Sequence, residues 1–325
     1  MNKKRMLSGI QPTGAPHVGN YFGMMKQLID SQDSQESYEI FAMVVNYHAL
    51  TTVSNGNQLQ ENTKNVVLDF LGAGLDPEKV ILFKQSDVPE HTELTWIFNC
   101  LVTMPWLSRA HAFKDKTEKN IEATVGLFDY PILMSADILL YDVPVVPVGE
   151  DQRQHVEMAR EIARKFNGLY GETFVEPEEK IVAGVAVVPG TDGQKMSKSY
   201  GNTIPLFGTD TEIKKAVMGI VTDSKAPEDP KNPDDVIVYQ LYKLIAPEKS
   251  ADMKQKLEQG GLGYGDAKKM LLDAILEMVA PMRERRSYYE QNPDLVEKIL
   301  KQGGEKARHI AQEKMSRVRK LVGLE

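Results

Sequence analysis

Two lysines three residues apart, Lys195 and Lys198, stand in the run Lys-Met-Ser-Lys-Ser199, flanked by glycines 190, 193 and 201. Cations on such a loop can swing onto a polyphosphate and let it go again, which a rigid element does poorly. The plain alternative is an exposed charged loop. A second segment, Gln11-Pro-Thr-Gly-Ala-Pro-His-Val-Gly-Asn-Tyr21, lies between a strand candidate and a helix that begins near Phe22. Glycines 14 and 19 let backbone approach a ligand closely, and the helix N-terminus behind them favours an anion with roughly half a positive charge. The segment is no P-loop, because no Gly-Lys-Ser/Thr follows at the required spacing, and it does not match the dinucleotide pattern Gly-x-Gly-x-x-Gly. Taken alone it reads as a structural turn.

The elements that must carry these segments follow from periodicity. The first half alternates apolar runs with helical patterns, which predicts a parallel sheet with helices on its faces. Phe41 to Val45 and Val143 to Val148 read as buried strands, and Met6 to Ile10 as a weaker one running into a loop. After Val148 comes Gly-Glu-Asp-Gln152, and then Val156, Ala159, Ile162, Ala163 and Phe166 recur at helical spacing. Gly149 to Gln152 therefore belong at the C-terminal end of a strand, the edge where open α/β sheets bind ligands. Gly184 to Val188 is a further apolar run. Beyond it strand signals thin out, and Ile213–Ile220, Val236–Ile245, Ala267–Met278 and Glu305–Val322 read as helices between turn-rich segments.

Composition bounds the function classes. The chain has 325 residues, 42% of them hydrophobic and 26% charged, enough for a large core and about two domains. No apolar run approaches the about 18–20 residues of a membrane span, and no apolar stretch follows the basic start, so a cytoplasmic protein is expected. Cys100 is the only cysteine, which excludes disulfide frameworks and cysteine-based metal sites. The net charge of −7 argues against a surface coated in nucleic acid, yet residues 281–325 hold eleven Lys/Arg against seven Asp/Glu. That stretch suits a phosphate backbone or, equally, a solvated helix face.

Pro-His-Val-Gly-Asn20 resembles the His-Ile-Gly-His signature of class I aminoacyl-tRNA synthetases, and residues 195–199 match the Lys-Met-Ser-Lys-Ser signature of the same class, in the same order. Ser8–Gly14, Tyr130–Tyr141, Val146–Gln152 and Ala216–Ser224 resemble the tryptophanyl-tRNA synthetase family in particular, of the bacterial type. The likeness runs from Leu7 to the C-terminal helix. Two departures stand out: Asn20 replaces the second histidine, and Asn46-Tyr-His48 stands where many relatives have Asp-Gln-His.

The resemblance implies a Rossmann-like doubly wound parallel sheet (residues 1–190, with a dimer-forming insertion at about 75–135) and an α-helical tRNA anticodon-binding domain (191–290). A last helix (291–325) would pack back on the catalytic domain. It implies activation of L-tryptophan by ATP with Mg²⁺, charging of tRNA(Trp), and a homodimer without membrane attachment. His17 and Asn20 would face the ATP, Gly19 would leave room for the base, and Lys195, Lys198 and Lys116 would neutralise pyrophosphate. Gln11, Gly149, Asp151, Met196 and Ser197 complete the expected ATP site, with Asp151 near the ribose. On a helix, Tyr130, Met134 and Asp137 share one face, and an apolar slot with one carboxylate suits indole, a flat apolar body with a single N–H. Phenylalanine would leave that carboxylate unpaired. Tyr130, Met134 and Gln152 would hold the α-amino group, with His48, Leu7, Val146 and Val148 around the pocket. Without the resemblance, Asp137 reads as a paired structural carboxylate and His48 as a core histidine. A tyrosyl-tRNA synthetase, a small nucleotidyltransferase and a non-catalytic RNA-binding paralogue are the competing readings.

Overall fold

The computed structural model describes residues 4–12, 14–34, 38–109, 124–148, 153–181 and 188–325, with backbone alone at 147–148 and 179–181. Among them five strands, β1 (Lys4–Ile10), β2 (Tyr38–Val44), β3 (Val80–Lys84), β4 (Val145–Val148) and β5 (Glu178–Ile181), form one parallel sheet in the order β3-β2-β1-β4-β5. The register sets Leu7 beside Phe41, Met6 beside Val145 and Ile40 beside Val80.

Period-two alternation splits the strand residues between two cores. Met6, Ile40, Ala42, Val44, Val80 and Leu82 face one cluster; Leu7, Phe41, Met43, Ile81, Phe83 and Val146 face the other. The first core takes a helical run made of α1 (Val18–Asn20), a π-turn at Tyr21–Met25 and α2 (Lys26–Gln32), together with α4 (Gly56–Ala73). It also takes helices that follow residue 209: α9 (Asp210–Met218), α10 (Ile237–Ile245), α11 (Ser250–Gln259) and α12 (Tyr264–Gln291). The second core is covered by α5 (Glu90–Asn99), α7 (Val125–Leu139) and α8 (Arg153–Tyr170). Two short helices, α3 (Asn46–Ala49) and α6 (Met104–Leu107), complete this half.

The last helix, α13 (Pro293–Val322), serves both cores. Val296 joins the first, while Ala307, Ala311, Met315 and Val318 join the second. Between them the helix crosses β3, the edge strand, at Gly303 and Gly304. A Cβ on Gly303 would overlap the Leu82 carbonyl, so only glycine admits this crossing. The helix thereby shields a sheet edge that would otherwise present unpaired backbone.

The helices are longer than periodicity suggests. The pattern gives Ala267–Met278 and Glu305–Val322, whereas the structure has Tyr264–Gln291, running through Pro281, and Pro293–Val322, running through Gly303-Gly304. Burial of Val279 and Met282 on either side of Pro281 outweighs the one lost backbone bond. The strands expected at Met6–Ile10, Phe41–Val45 and Val143–Val148 are present as β1, β2 and β4; β3, β5 and α11 are not read from the pattern, and Gly184–Val187 lies outside the described residues.

Candidate active site

At the switch point of the sheet, β1 and β4 lie side by side and their C-terminal ends open on the same edge. From β1 the chain passes through Gln11 to Pro16 and enters α1 with His17 as N-cap. The cap is reciprocal: the His17 backbone N–H donates to Asn20 Oδ1 at 3.1 Å, and His17 Nδ1 accepts the Asn20 N–H at 3.3 Å. Asn20 thus completes the cap from the position of the signature's second histidine. Because Nδ1 accepts, the proton of the neutral ring sits on Nε2. Burial, reinforced by the Lys198 ammonium, lowers the His17 pKa to about 4, so the ring is neutral at pH 7. Gly19 also sits in a tight place of its own. A Cβ there would lie 2.9 Å from His17 Nδ1 and 3.2 Å from Met196 Cβ.

The lysine loop is tied to this segment by main chain. Val18 N–H donates to Ile204 O at 2.9 Å and Leu206 N–H to Pro16 O at 3.1 Å, an antiparallel bridge between the first signature and the segment just after the lysine loop. Met196 is buried and accepts the Gly19 N–H on its sulfur at 3.2 Å. Lys198 Nζ donates to Gly14 O at 2.9 Å, where glycine holds φ at 100°. Desolvation lowers the Lys198 pKa, opposed by the charge of Asp69. Inside the loop sits Asn202, which is 2% exposed. Its Oδ1 accepts the Ser197 N–H at 2.8 Å, and its amide donates to the Lys195 carbonyl at 3.0 Å and Asp192 Oδ1 at 2.7 Å. A turn-forming asparagine at the end of a Gly/Ser-rich stretch gives little hint of this internal strut.

Across the sheet edge, Tyr130, Met134 and Asp137 do lie along one face of α7. Asp137 is 3% exposed, but its carboxylate does not await a donor. His48 Nε2 reaches Oδ2 at 2.8 Å, and Gln85 Nε2 reaches Oδ1 at 2.8 Å and Oδ2 at 3.0 Å. His91 Nδ1 approaches Oδ1 at 2.6 Å, a close contact off the direction of a good hydrogen bond. Burial alone would raise the carboxyl pKa; the two histidines outweigh it and hold the group well below the ordinary carboxylate range. The unpaired carboxylate expected in the absence of an N–H donor is therefore not found, because the fold supplies the donors itself.

Tyr130 OH lies 3.1 Å from His155 Nε2, and its ring meets His48 edge-on at 6.0 Å. Gln11 Nε2 donates to the His48 carbonyl at 2.8 Å, joining the first signature to the Asp137 pocket. Leu7, Val146 and Met134 line the second core beside α7. Ser197 Oγ pairs with Ser199 Oγ at 2.8 Å, and Lys195 lies exposed on the loop. Lys116, Gly149, Asp151 and Gln152 lie outside the described residues, as does the side chain of Val148.

Sequence reasoning missed Gln85, His91 and Tyr141. The available signal was a histidine on the apolar face of α5, spaced as His91, Leu94 and Phe98. At Asn46 the departure from Asp-Gln-His finds its partner: Asn46 Nδ2 donates to Ser86 Oγ at 2.7 Å and Oδ1 accepts the Ser86 N–H at 3.0 Å. Among the described residues no group of three His, Cys, Asp or Glu side chains could hold a metal ion, and no helix is long and apolar enough to cross a membrane.

Comparison with known proteins adds to this geometry. The profile of class I tRNA synthetases (W and Y) matches residues 1–280. A tryptophan–tRNA ligase of Fusobacterium nucleatum is 52% identical over 324 residues, 99% of this chain and 98% of that protein. One of Rhodopirellula baltica is 50% identical over 321 residues, 98% and 99% of the respective chains. Among solved structures, the tryptophanyl-tRNA synthetase of Campylobacter jejuni complexed with ADP and tryptophan has a TM-score of 0.90 at 44% identity, covering 98% of this chain and 100% of its own. A tyrosyl-tRNA synthetase of Archaeoglobus fulgidus, 19% identical with a TM-score of 0.70, shares the fold alone.

Proposed function

Because the chain belongs to the class I tRNA synthetases for tryptophan and tyrosine, and within them to the tryptophan–tRNA ligases, we infer that it forms tryptophanyl-adenylate and passes the amino acid to the 3′ end of tRNA(Trp). One observation carries this reading. Lys198 and the segment after its loop bond to the His17 segment, and Gln11 of that segment bonds to the His48 carbonyl beside Asp137, which sets the candidate anion site next to the candidate indole slot.

In the first step an oxygen of the tryptophan carboxylate attacks the α-phosphorus of ATP. The new C(O)–O–P linkage forms as the bond to the β-phosphate oxygen breaks and pyrophosphate leaves. In the second step a hydroxyl of the terminal tRNA ribose attacks the carbonyl and AMP departs. The carboxylate is ionised at neutral pH, so activation needs no general base. Positioning and charge stabilisation remain, and each well-aimed donor contributes ~3–4 kcal/mol by analogy with oxyanion sites.

His17, neutral with its proton on Nε2, donates to the phosphates, and Asn20 fixes that tautomer. Lys198 exchanges its bond to Gly14 O for the β,γ-phosphates, joined by Lys195 and Lys116. Mg²⁺ arrives with ATP as part of the substrate, held mostly by phosphates and water; the lysines around the site suit the anion rather than the ion. Gln11, Gly149, Asp151, Met196 and Ser197 complete the nucleotide site. Asp137 accepts the indole N–H, Tyr130, Met134 and Gln152 hold the α-amino group, and Leu7, His48, Val146 and Val148 surround the ring.

The working organisation is a catalytic part to about residue 190, a helical part that reads the anticodon (191–290), and a closing helix (291–325), in a cytoplasmic homodimer. Exposure of Trp96, Met104 and Val125 at 66–82% supports an interface within about 75–135. Sedimentation of Trp96→Glu as a monomer, against a dimeric parent, checks this; charging insensitive to anticodon changes would remove the tRNA assignment. The primary test is ATP–pyrophosphate exchange with tryptophan, tyrosine and phenylalanine. Exchange with tryptophan alone, relaxed or lost in Asp137→Ala and slowed in Lys195→Ala, supports the reading. Exchange with tyrosine instead overturns the specificity, and none at all leaves a non-catalytic paralogue.

A further inference from the structure

Asp137 is held from its buried side by two residues that are 0% exposed, Gln85 and His91. The Gln85 amide is oriented by its own bonds. Oε1 accepts the Tyr47 N–H at 3.1 Å, which turns Nε2 onto both carboxylate oxygens at 2.8 and 3.0 Å. His91 Nε2 lies 2.9 Å from Tyr141 OH, and Tyr141 is itself fully buried. Desolvation, with the nearby Asp137 and Glu90 charges, raises the Tyr141 pKa well above its usual value, so the contact with Nε2 is made by a protonated phenol. On the other side of the ring, His91 Nδ1 faces Asp137 Oδ1 at 2.6 Å and closes off that oxygen from the buried side. The remaining contact, from His48, comes from a side chain 12% exposed beside Tyr130.

We propose that Gln85 and His91 are positioning residues for amino-acid selection: they hold the Asp137 carboxylate in one orientation from its buried side, so that a ligand N–H meets it from the side that His48 occupies. The inference rests on Asp137 reading the indole. A mobile carboxylate could turn toward water or a loop cation and would meet the ring donor in only a fraction of its orientations, so locking it raises selectivity without touching the substrate. α5, which carries His91, is braced from behind by α13, where Arg308 Nε donates to Glu90 at 3.2 Å and Arg319 Nε to Glu93 at 2.7 Å.

The test uses full-length protein and ATP–pyrophosphate exchange with two amino acids, tryptophan and 3-benzothienylalanine, which carries sulfur in place of the ring N–H. Gln85→Met and His91→Phe are each expected to raise the KM for tryptophan about tenfold to a hundredfold. The KM for the sulfur analogue, the KM for ATP and kcat should stay within about twofold, a split that general loosening of the fold would not give. In an Asp137→Asn background the same substitutions should change little, since they act through that carboxylate. If Asp137→Asn abolishes the preference for tryptophan but Gln85→Met and His91→Phe keep it, this proposal fails alone. If Asp137→Asn itself keeps the preference, the reading of Asp137 fails. Should His91→Phe not fold, Tyr141→Phe reads the same chain of contacts, and an unchanged tryptophan KM there overturns the part given to His91.

Discussion

At Gly19 a single hydrogen separates the backbone from the His17 ring and the Met196 side chain, so one added methyl must displace one of them. Gly19→Ala is therefore expected to lower the exchange rate about 10²-fold, the loss that a misplacement near 1 Å brings. The unfolding temperature should hold, because alanine favours a helix; kinetics and a thermal melt together check this. Such a residue is half legible. The glycine stands out in the sequence, but its partner is 177 positions away in the second signature, and no local spacing encodes that contact. His17 and Lys198 announced their chemistry through residue type and motif. Gln85, His91 and Tyr141 did not, because a buried polar side chain looks local until the fold brings its partner from 46 or more residues away.

Among the elements, the lysine loop depends on one interior side chain. Asn202→Ala removes its bonds to the Ser197 N–H, the Lys195 carbonyl and Asp192, leaving the loop without its strut. We expect a fall in kcat of about 10–100-fold with the KM for tryptophan unchanged, measured in the exchange assay, since the loop attends the phosphates and not the ring. The crossing of α13 over β3 makes a different demand. Gly303→Ala forces the helix away from the Leu82 carbonyl and should destabilise the chain by ~1–3 kcal/mol or more, read from denaturant unfolding. Read as sequence, Gly303-Gly304 is a helix breaker, and that is why periodicity starts the last helix at Glu305. Tertiary packing overrides the propensity of about 1 kcal/mol per glycine. Strands β2 and β4 are legible as apolar runs; β5, Glu-Glu-Lys-Ile, carries no such run, and β3 is not read.

For the whole molecule, the join between the sheet half and the later helices includes an ion pair between α4 and α12. Arg286 Nε donates to Asp69 Oδ1 at 2.8 Å, with Asp69 3% exposed. Burial raises the Asp69 pKa to about 6, against the pull of Arg286 and Lys198. A carboxyl raised in the folded state contributes most stability below its unfolded pKa near 4 and loses it as pH rises through 6. His17, lowered to about 4, behaves oppositely: its contribution is present above its unfolded value near 6.5 and is lost as pH falls toward 4. The two offset each other across roughly pH 4–6. Melting curves over that range should lose stability more steeply on acidification in Asp69→Asn and less steeply in His17→Asn. Helix α13 serves both cores and is the last of these elements to be made. During synthesis the second core lacks Ala307, Ala311, Met315 and Val318 until those residues have left the ribosome, so that face of the sheet stays incomplete after the sheet itself has emerged.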